Sequence, residues 1–310
     1  METETRPDQL APRQGYAQVK NAQLFYREVG RGMPMVVLHG GPDFDHSYLL
    51  PEMDRLSRSF RLIYYDQRGR GKSGENVQPE QVSIESEIED LEGLREYLCL
   101  ESVAILGHSW GALLALEYAI RHPDRVSHLI LMNTAPVSRD DLVLLREERR
   151  RKTPDDIEKM KAISSTAAYQ AGDLETVEAY YRVHFRSAIR RPEHLEKVIG
   201  RLRAKMTPDV IRKARAIEDR LYQLTWAKRD YNLLTELKRL SMPTLVLHGD
   251  SDFIPLACAG HVAEAIPGAR LVVLAECGHF SYLECPDEVH REIVASVLGA
   301  PPHPEAGGQA

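Results

Sequence analysis

Residues 105–120 read ILGHSWGALLALEYAI, and Ser109 stands two residues after Gly107 and two before Gly111. A serine hydroxyl is a weak nucleophile until a base takes its proton and a third group orients that base. The apolar run before Ser109 reads as a strand and the run after it as a helix. A G-x-S-x-G pattern at a strand–turn–helix junction fits a nucleophile carried on a sharp, strained turn. Only hydrogen fits at positions 107 and 111 if the strand and helix backbones close on each other there. The helix N-terminus behind the serine favours the negative charge of an acyl-transfer intermediate. An ordinary strand–helix loop of small residues is the plainer reading of the same stretch.

If Ser109 is a nucleophile, its partners should follow in the order acid, then histidine. Residues 245–255, LVLHGDSDFIP, offer Asp250 and Asp252. Asp252 is the better acid, being three residues past Gly249 and beside an apolar stretch that could shield it. Asp250 suits the turn itself. Residues 270–286, RLVVLAECGHFSYLECP, place His279 just beyond a strand, with Gly278 before it to let the loop bend. His261 and His290 fall within expected helices, His303 in the tail, and His248 ahead of the acid at a strand end. The oxyanion needs two donors. The backbone N–H of Trp110 supplies one, and VVLHGGPDFDHS at 36–47 supplies the other through the N–H of Gly41. The rival reading of that loop is a Gly-Pro turn without substrate contact. Asp43 reads as a cap for the helix that follows.

The elements that must position these groups fall into three zones. From 15 to 135, short β-rich runs alternate with helix-like stretches, among them SIESEIEDLEGLREYLCL with apolar Ile84, Ile88, Leu91, Leu94 and Leu98 on one face. From 136 to 240 the chain is helix-prone, with 24 Lys and Arg against 17 Asp and Glu. That local charge of +7 sits in a chain of net charge −6 and leaves −13 for the rest. From 241 to 299 the strand–helix rhythm returns. The fold class is therefore α/β: a mostly parallel sheet flanked by helices (15–135 and 241–299), interrupted by an inserted helical cap at 136–240. Residues 1–14 and 300–310 are expected to be disordered.

Several function classes drop out. The mild net charge suggests no nucleic-acid partner. There is no run of eighteen apolar residues for a membrane span. The polar first residues lack the parts of a signal peptide. Cys99, Cys258, Cys277 and Cys285 lack zinc-type spacing, and reduced thiols in a cytoplasmic protein are expected. No HExxH or clustered carboxylates imply a metal, and no cofactor is required. DQRGRGKS at 66–73 lacks the spacer of a phosphate loop. Its Asp66, Arg68, Gly69 and Gly71 read as a structural loop near the site. The expected partner is a small molecule or short peptide, and the oligomeric state is left open.

The motifs HGGP (39–42), DQRGRGKS (66–73), GHSWG (107–111), GDSD (249–252) and CGHF (277–280) occur in the order found in α/β-hydrolases. Within that superfamily the chain resembles the proline iminopeptidase group over the two sheet-forming zones. The resemblance implies a Ser109–His279–Asp252 triad, an acyl-enzyme, and release of an N-terminal proline or other small residue. Two positions depart from the group's pattern: Asp43 follows HGGP where glycine is usual, and His108 precedes the serine, as in many esterases and C–C bond hydrolases. The group holds its substrate's free amine with acidic and aromatic groups, for which the basic cap gives no one-to-one match. Tyr180, Tyr181 and Trp226 are candidate pocket residues, although aromatics in a helical insert more often pack its own core. A carboxylesterase or related small-acyl hydrolase is the alternative activity. A small-molecule receptor of hydrolase shape with poor turnover is the alternative of another class.

Overall fold

The computed structural model describes residues 11–299. Residues 1–10 of the expected N-terminal segment, and the whole expected tail, lie outside the described residues. β1 (Arg13–Val19) and β2 (Ala22–Val29) form an antiparallel hairpin. Arg13 and Gln14, read above as part of the leading segment, already pair with Glu28 and Arg27 and belong to the sheet. β3 (Met33–Leu38) and β4 (Phe60–Tyr65) follow, then α1 (Ile84–Tyr97), β5 (Val103–His108), α2 (Trp110–Arg121) and β6 (Val126–Met132). A helical region comes next: α3 (Arg139–Lys152), α4 (Pro154–Ser164), α5 (Ala167–Ala171), α6 (Leu174–Arg186), α7 (Pro192–Arg203), α8 (Pro208–Leu224) and the short α9 (Leu234–Leu237). β7 (Thr244–Gly249), α10 (Leu256–Ala265), β8 (Arg270–Leu274), α11 (Ser281–Glu284) and α12 (Pro286–Leu298) complete the chain.

The eight strands form one sheet in the order β1-β2-β4-β3-β5-β6-β7-β8. β2 pairs antiparallel with β4, and every pair from β4 to β8 is parallel. Side chains alternate across a strand with period two. Val36, Leu38, Ile63, Tyr65 and Ile105 enter one core, and Met35, Val37, Leu62, Tyr64 and Leu106 the other. Both faces are buried, as the continuous apolar runs required. The helical region is inserted between β6 and β7 and docks partly through a small cluster of Leu142, Leu145, Ile254 and Cys258. Among the described residues no helix is long and apolar enough to cross a membrane.

The loop at 66–73 is fastened to α1 by buried ion pairs. Arg68 grips Asp90 through two hydrogen bonds of 2.8 and 2.5 Å. Arg70 lies 2.6 Å from Glu87, each side chain only 1% exposed. Gly69 and Gly71 both take positive φ, and a side chain at 71 would collide with the Asp66 carboxylate. Removing one partner of a buried pair strands the other charge. Arg70→Met should therefore destabilise the protein by about 3–5 kcal/mol in urea unfolding. A loss below about 1 kcal/mol would contradict the buried pair.

Candidate active site

The serine turn has the strain that its glycines suggested. Ser109 sits at φ 56°, ψ −116°, a region that costs a residue with a side chain about 1–3 kcal/mol. A Cβ on Gly107 would lie 2.3 Å from the Gly111 carbonyl oxygen, and one on Gly111 would lie 2.3 Å from that of Leu38. The crossing thus involves three segments: β5, α2 and the end of β3. The turn is fixed from several sides. Ser109 N–H donates to the Met132 carbonyl at 3.0 Å, and the Ser109 carbonyl accepts from Ala112 and Ala135.

Asp252 and His279 meet beside it. Each Asp252 oxygen is 3.0 Å from His279 Nδ1, and Asn133 Nδ2 and the Ile254 N–H donate to the same carboxylate at 2.8 and 2.9 Å. Burial pushes the Asp252 pKa up, but His279 and His248 together with these donors outweigh it and hold the group below its ordinary value. Asp250 instead accepts from the N–H groups of Glu276 and Cys277 and braces the histidine loop. Ser109 and His279 line one cavity; what joins them is that shared wall, and no hydrogen bond links the two side chains. Nucleophile–base contacts in unliganded sites are often open in this way. Of the other histidines in the described residues, His261 pairs with Asp141 and His248 with the Ile254 carbonyl. His303 lies outside them. Gly278, expected to let the loop bend, also meets a steric demand: a side chain there would lie 2.3 Å from the Ala188 carbonyl oxygen of the helical region.

The glycine loop after β3 is held from two sides. Gly40 N–H donates to Tyr48 Oη at 2.7 Å, Tyr48 Oη donates to His108 Nδ1 at 2.6 Å, and His108 Nε2 donates to the His279 carbonyl at 2.9 Å. This ordering requires a neutral His108, and burial lowers its pKa to about 3. On the other side, Gln67 N–H donates to His39 Nε2 and Gln67 Nε2 to the His39 carbonyl. Arg70 in turn holds Gln67 at 2.7 Å. Among the described residues the N–H groups of Gly41 and Trp110 have no acceptor, so both are free to meet a ligand.

A cavity of about 250 Å³ opens over Ser109, bounded by the helical region. Tyr180, Tyr181 and Trp226 all line it. Asp43 does not cap a helix. Asp45 accepts the Ser47 N–H as that cap, while Asp43 turns into the cavity and accepts from Tyr181 Oη. Glu218, on α8, faces the same space. Burial raises the pKa of both carboxyls, and the charge of Asp43 adds to the shift of Glu218, which is pushed up to about 8. The acidic pair is thus assembled from two places, Asp43 from the loop after β3 and Glu218 from the basic helical region, with Arg149 and Arg215 lining the same cavity. One group among the described residues, Asp45, His46 and Asp66, brings metal-ligand atoms within 4.8 Å. Its atoms are already committed: His46 Nδ1 to Asp66 at 2.6 Å, and Asp66 to the Lys72 N–H at 2.8 Å.

Sequence reasoning missed Glu218, Tyr48, Asn133 and Glu284. Glu284 is buried and accepts from Gly278, Arg190 and Arg191 N–H groups, stapling the histidine loop to the helical region. None of the four lies in a motif, although a charged residue four past CGHF was a signal that could have been weighed.

Comparison with known proteins agrees with this architecture. The sequence profile of the alpha/beta hydrolase fold matches residues 33–286. The proline iminopeptidase of Saccharolobus solfataricus is 24% identical over 294 residues, covering 92% of this chain and 93% of that protein. That of Lactobacillus crispatus is 28% identical over 282 residues, covering 86% and 91%. In structure, a proline iminopeptidase of Mycobacterium smegmatis superposes with TM-score 0.70 at 19% identity, over 93% of this chain and 98% of that one. An esterase of Exiguobacterium antarcticum gives 0.67 at 24% identity, over 91% and 98%. These superpositions speak to the fold.

Ser109→Gly and Ser109→Ala remove the same hydroxyl but differ in the Cβ held at positive φ. Glycine relieves the strain and costs more backbone entropy, so Ser109→Gly should be the more stable by about 1 kcal/mol in urea unfolding. Equal stability, or a more stable Ser109→Ala, would contradict the strained turn.

Proposed function

The chain belongs to the alpha/beta hydrolase fold family, and on that footing we propose that it is a serine hydrolase releasing an N-terminal residue from short peptides or amides. Ser109 Oγ attacks the carbonyl carbon while His279 takes its proton, and Asp252 stabilises the resulting imidazolium. The N–H groups of Gly41 and Trp110 receive the oxyanion; Gly40 N–H is already engaged by Tyr48. His279 returns the proton to the leaving amine, and water then hydrolyses the acyl-enzyme. The helical region acts as a lid that shapes the cavity and excludes solvent.

The observation that carries the choice of substrate is the pair of carboxyls, Asp43 and Glu218, in the cavity that holds Ser109. A protonated amine is the group such a pair would select. The distant homology to proline iminopeptidases supports the same reading. An ester lacking an amine is the rival substrate, since the same catalytic groups would cleave it.

Paired assays decide between the two. Prolyl arylamide should be hydrolysed, and its N-acetyl derivative should lose nearly all activity. Faster cleavage of the acetylated compound or of p-nitrophenyl esters would favour the esterase. Ser109→Ala should lower kcat by about 10⁴-fold or more; surviving activity would remove the assignment, and a single burst without turnover would point to a receptor.

The pH dependence carries a second test. Glu218 in the free protein is protonated below about 8. An ammonium group binds its ionised form, so binding expels a proton. kcat/KM on the free amine should rise through that range until the substrate's own amine is deprotonated. Glu218→Gln should flatten this limb; an unchanged profile would exclude Glu218 from amine binding.

A further inference from the structure

Two guanidinium groups line the cavity, and their surroundings differ. Arg215 is the better compensated, although its buried Nη2 has no acceptor. Its Cζ lies 3.5 Å from the Tyr169 ring centroid, one nitrogen donates to the Tyr169 carbonyl, and its charge is felt by Asp43 and Glu218. Arg149, on α3, is not. Its buried Nε has no acceptor, its Nη2 reaches only the Met160 thioether at 3.8 Å, and its Cζ stands 5.3 Å from the Phe253 ring. Among the described residues no carboxylate lies within ion-pair distance of it. A guanidinium largely withdrawn from water without an anion is costly, and a bound carboxylate would supply the missing bidentate partner.

The position of Arg149 says which part of a substrate that carboxylate belongs to. Phe253, beneath the guanidinium, packs on the His279 ring at 4.7 Å between centroids. In the mechanism above His279 hands its proton to the leaving group, so Arg149 stands on the leaving-group side. Asp43 lies two residues from Gly41 and is held by Tyr181. The cavity thus carries carboxyls for an amine and an unpaired guanidinium for an acid on the same lining as the nucleophile. We propose that Arg149 binds the free carboxylate of the leaving group, which makes short peptides ending one residue beyond the cleaved bond the preferred substrate class. The inference builds on the amine-binding reading but concerns a different group of the same cavity.

The experiment compares kcat/KM for a dipeptide, Pro-Ala, with that for its carboxamide, in the wild type, Arg149→Gln and Arg149→Lys. The wild type should favour the acid by at least about tenfold, Arg149→Gln should lose that ratio, and Arg149→Lys should keep part of it. Misfolding lowers both rates alike and leaves the ratio intact. A second arm uses 3-carboxyphenyl acetate against 3-carbamoylphenyl acetate. If the peptides are not cleaved but the ester ratio is high and falls in Arg149→Gln, the role of Arg149 stands and the aminopeptidase reading fails. A ratio near one in the wild type, or one unchanged in Arg149→Gln, overturns the inference in whichever arm is active.

Discussion

Three backbone segments cross within contact distance at Ser109, and that crossing constrains much of the molecule. β5 must end, α2 must begin, and the chain leaving β3 must pass alongside, in a space where Cβ atoms at 107 and 111 would fall 2.3 Å from carbonyl oxygens. A Cβ on Gly40 would likewise lie 2.7 Å from the His108 carbonyl and 2.9 Å from Ser109 Cβ. The serine accepts a positive φ because its neighbours leave no other path, and hydrogen bonds from β6 and α2 hold it there. The strain is local, and the buried sheet around it makes it affordable.

Around that crossing runs a line of buried polar contacts. It starts at Glu87 on α1, passes through Arg70 and Gln67 to His39, and resumes at Gly40 through Tyr48 and His108 to the carbonyl of His279. The first link is an ion pair, the later ones have a defined donor and acceptor, and a neutral His108 is needed for the last two. The line explains two oddities at once. DQRGRGKS resembles a ligand loop but serves as a brace, and His108 replaces the expected glycine because its two ring nitrogens bridge Tyr48 and the histidine loop. Buried polar networks of this kind rigidify the loops they join.

Much of this was legible in the sequence. Strand–helix alternation and continuous apolar runs announced a parallel sheet buried on both faces. The serine turn, Asp252 and His279 were picked from local spacing; Ser109 and His279 line one cavity and Asp252 meets the His279 ring, and their roles are the proposal made above. What was not legible depends on tertiary approach. Asp43 looked like a helix cap because Asp and the following residues fit that pattern, yet Asp45 does the capping and Asp43 turns toward Tyr181. The +7 charge of 136–240 gave no sign of an amine-binding group there. Net charge does not say which face a residue takes, and Glu218 points inward. Gly278 was read as letting its loop bend, and local spacing did not show that it also makes room for the Ala188 carbonyl from a segment ninety residues earlier.

The claim on which the account turns is that Ser109 is a nucleophile activated by His279. Reaction with a fluorophosphonate, followed by peptide mass spectrometry, reads this directly. A single covalent adduct on Ser109, lost when His279 is replaced by glutamine, is the predicted result. No adduct, an adduct on another residue, or full labelling without the imidazole would contradict it.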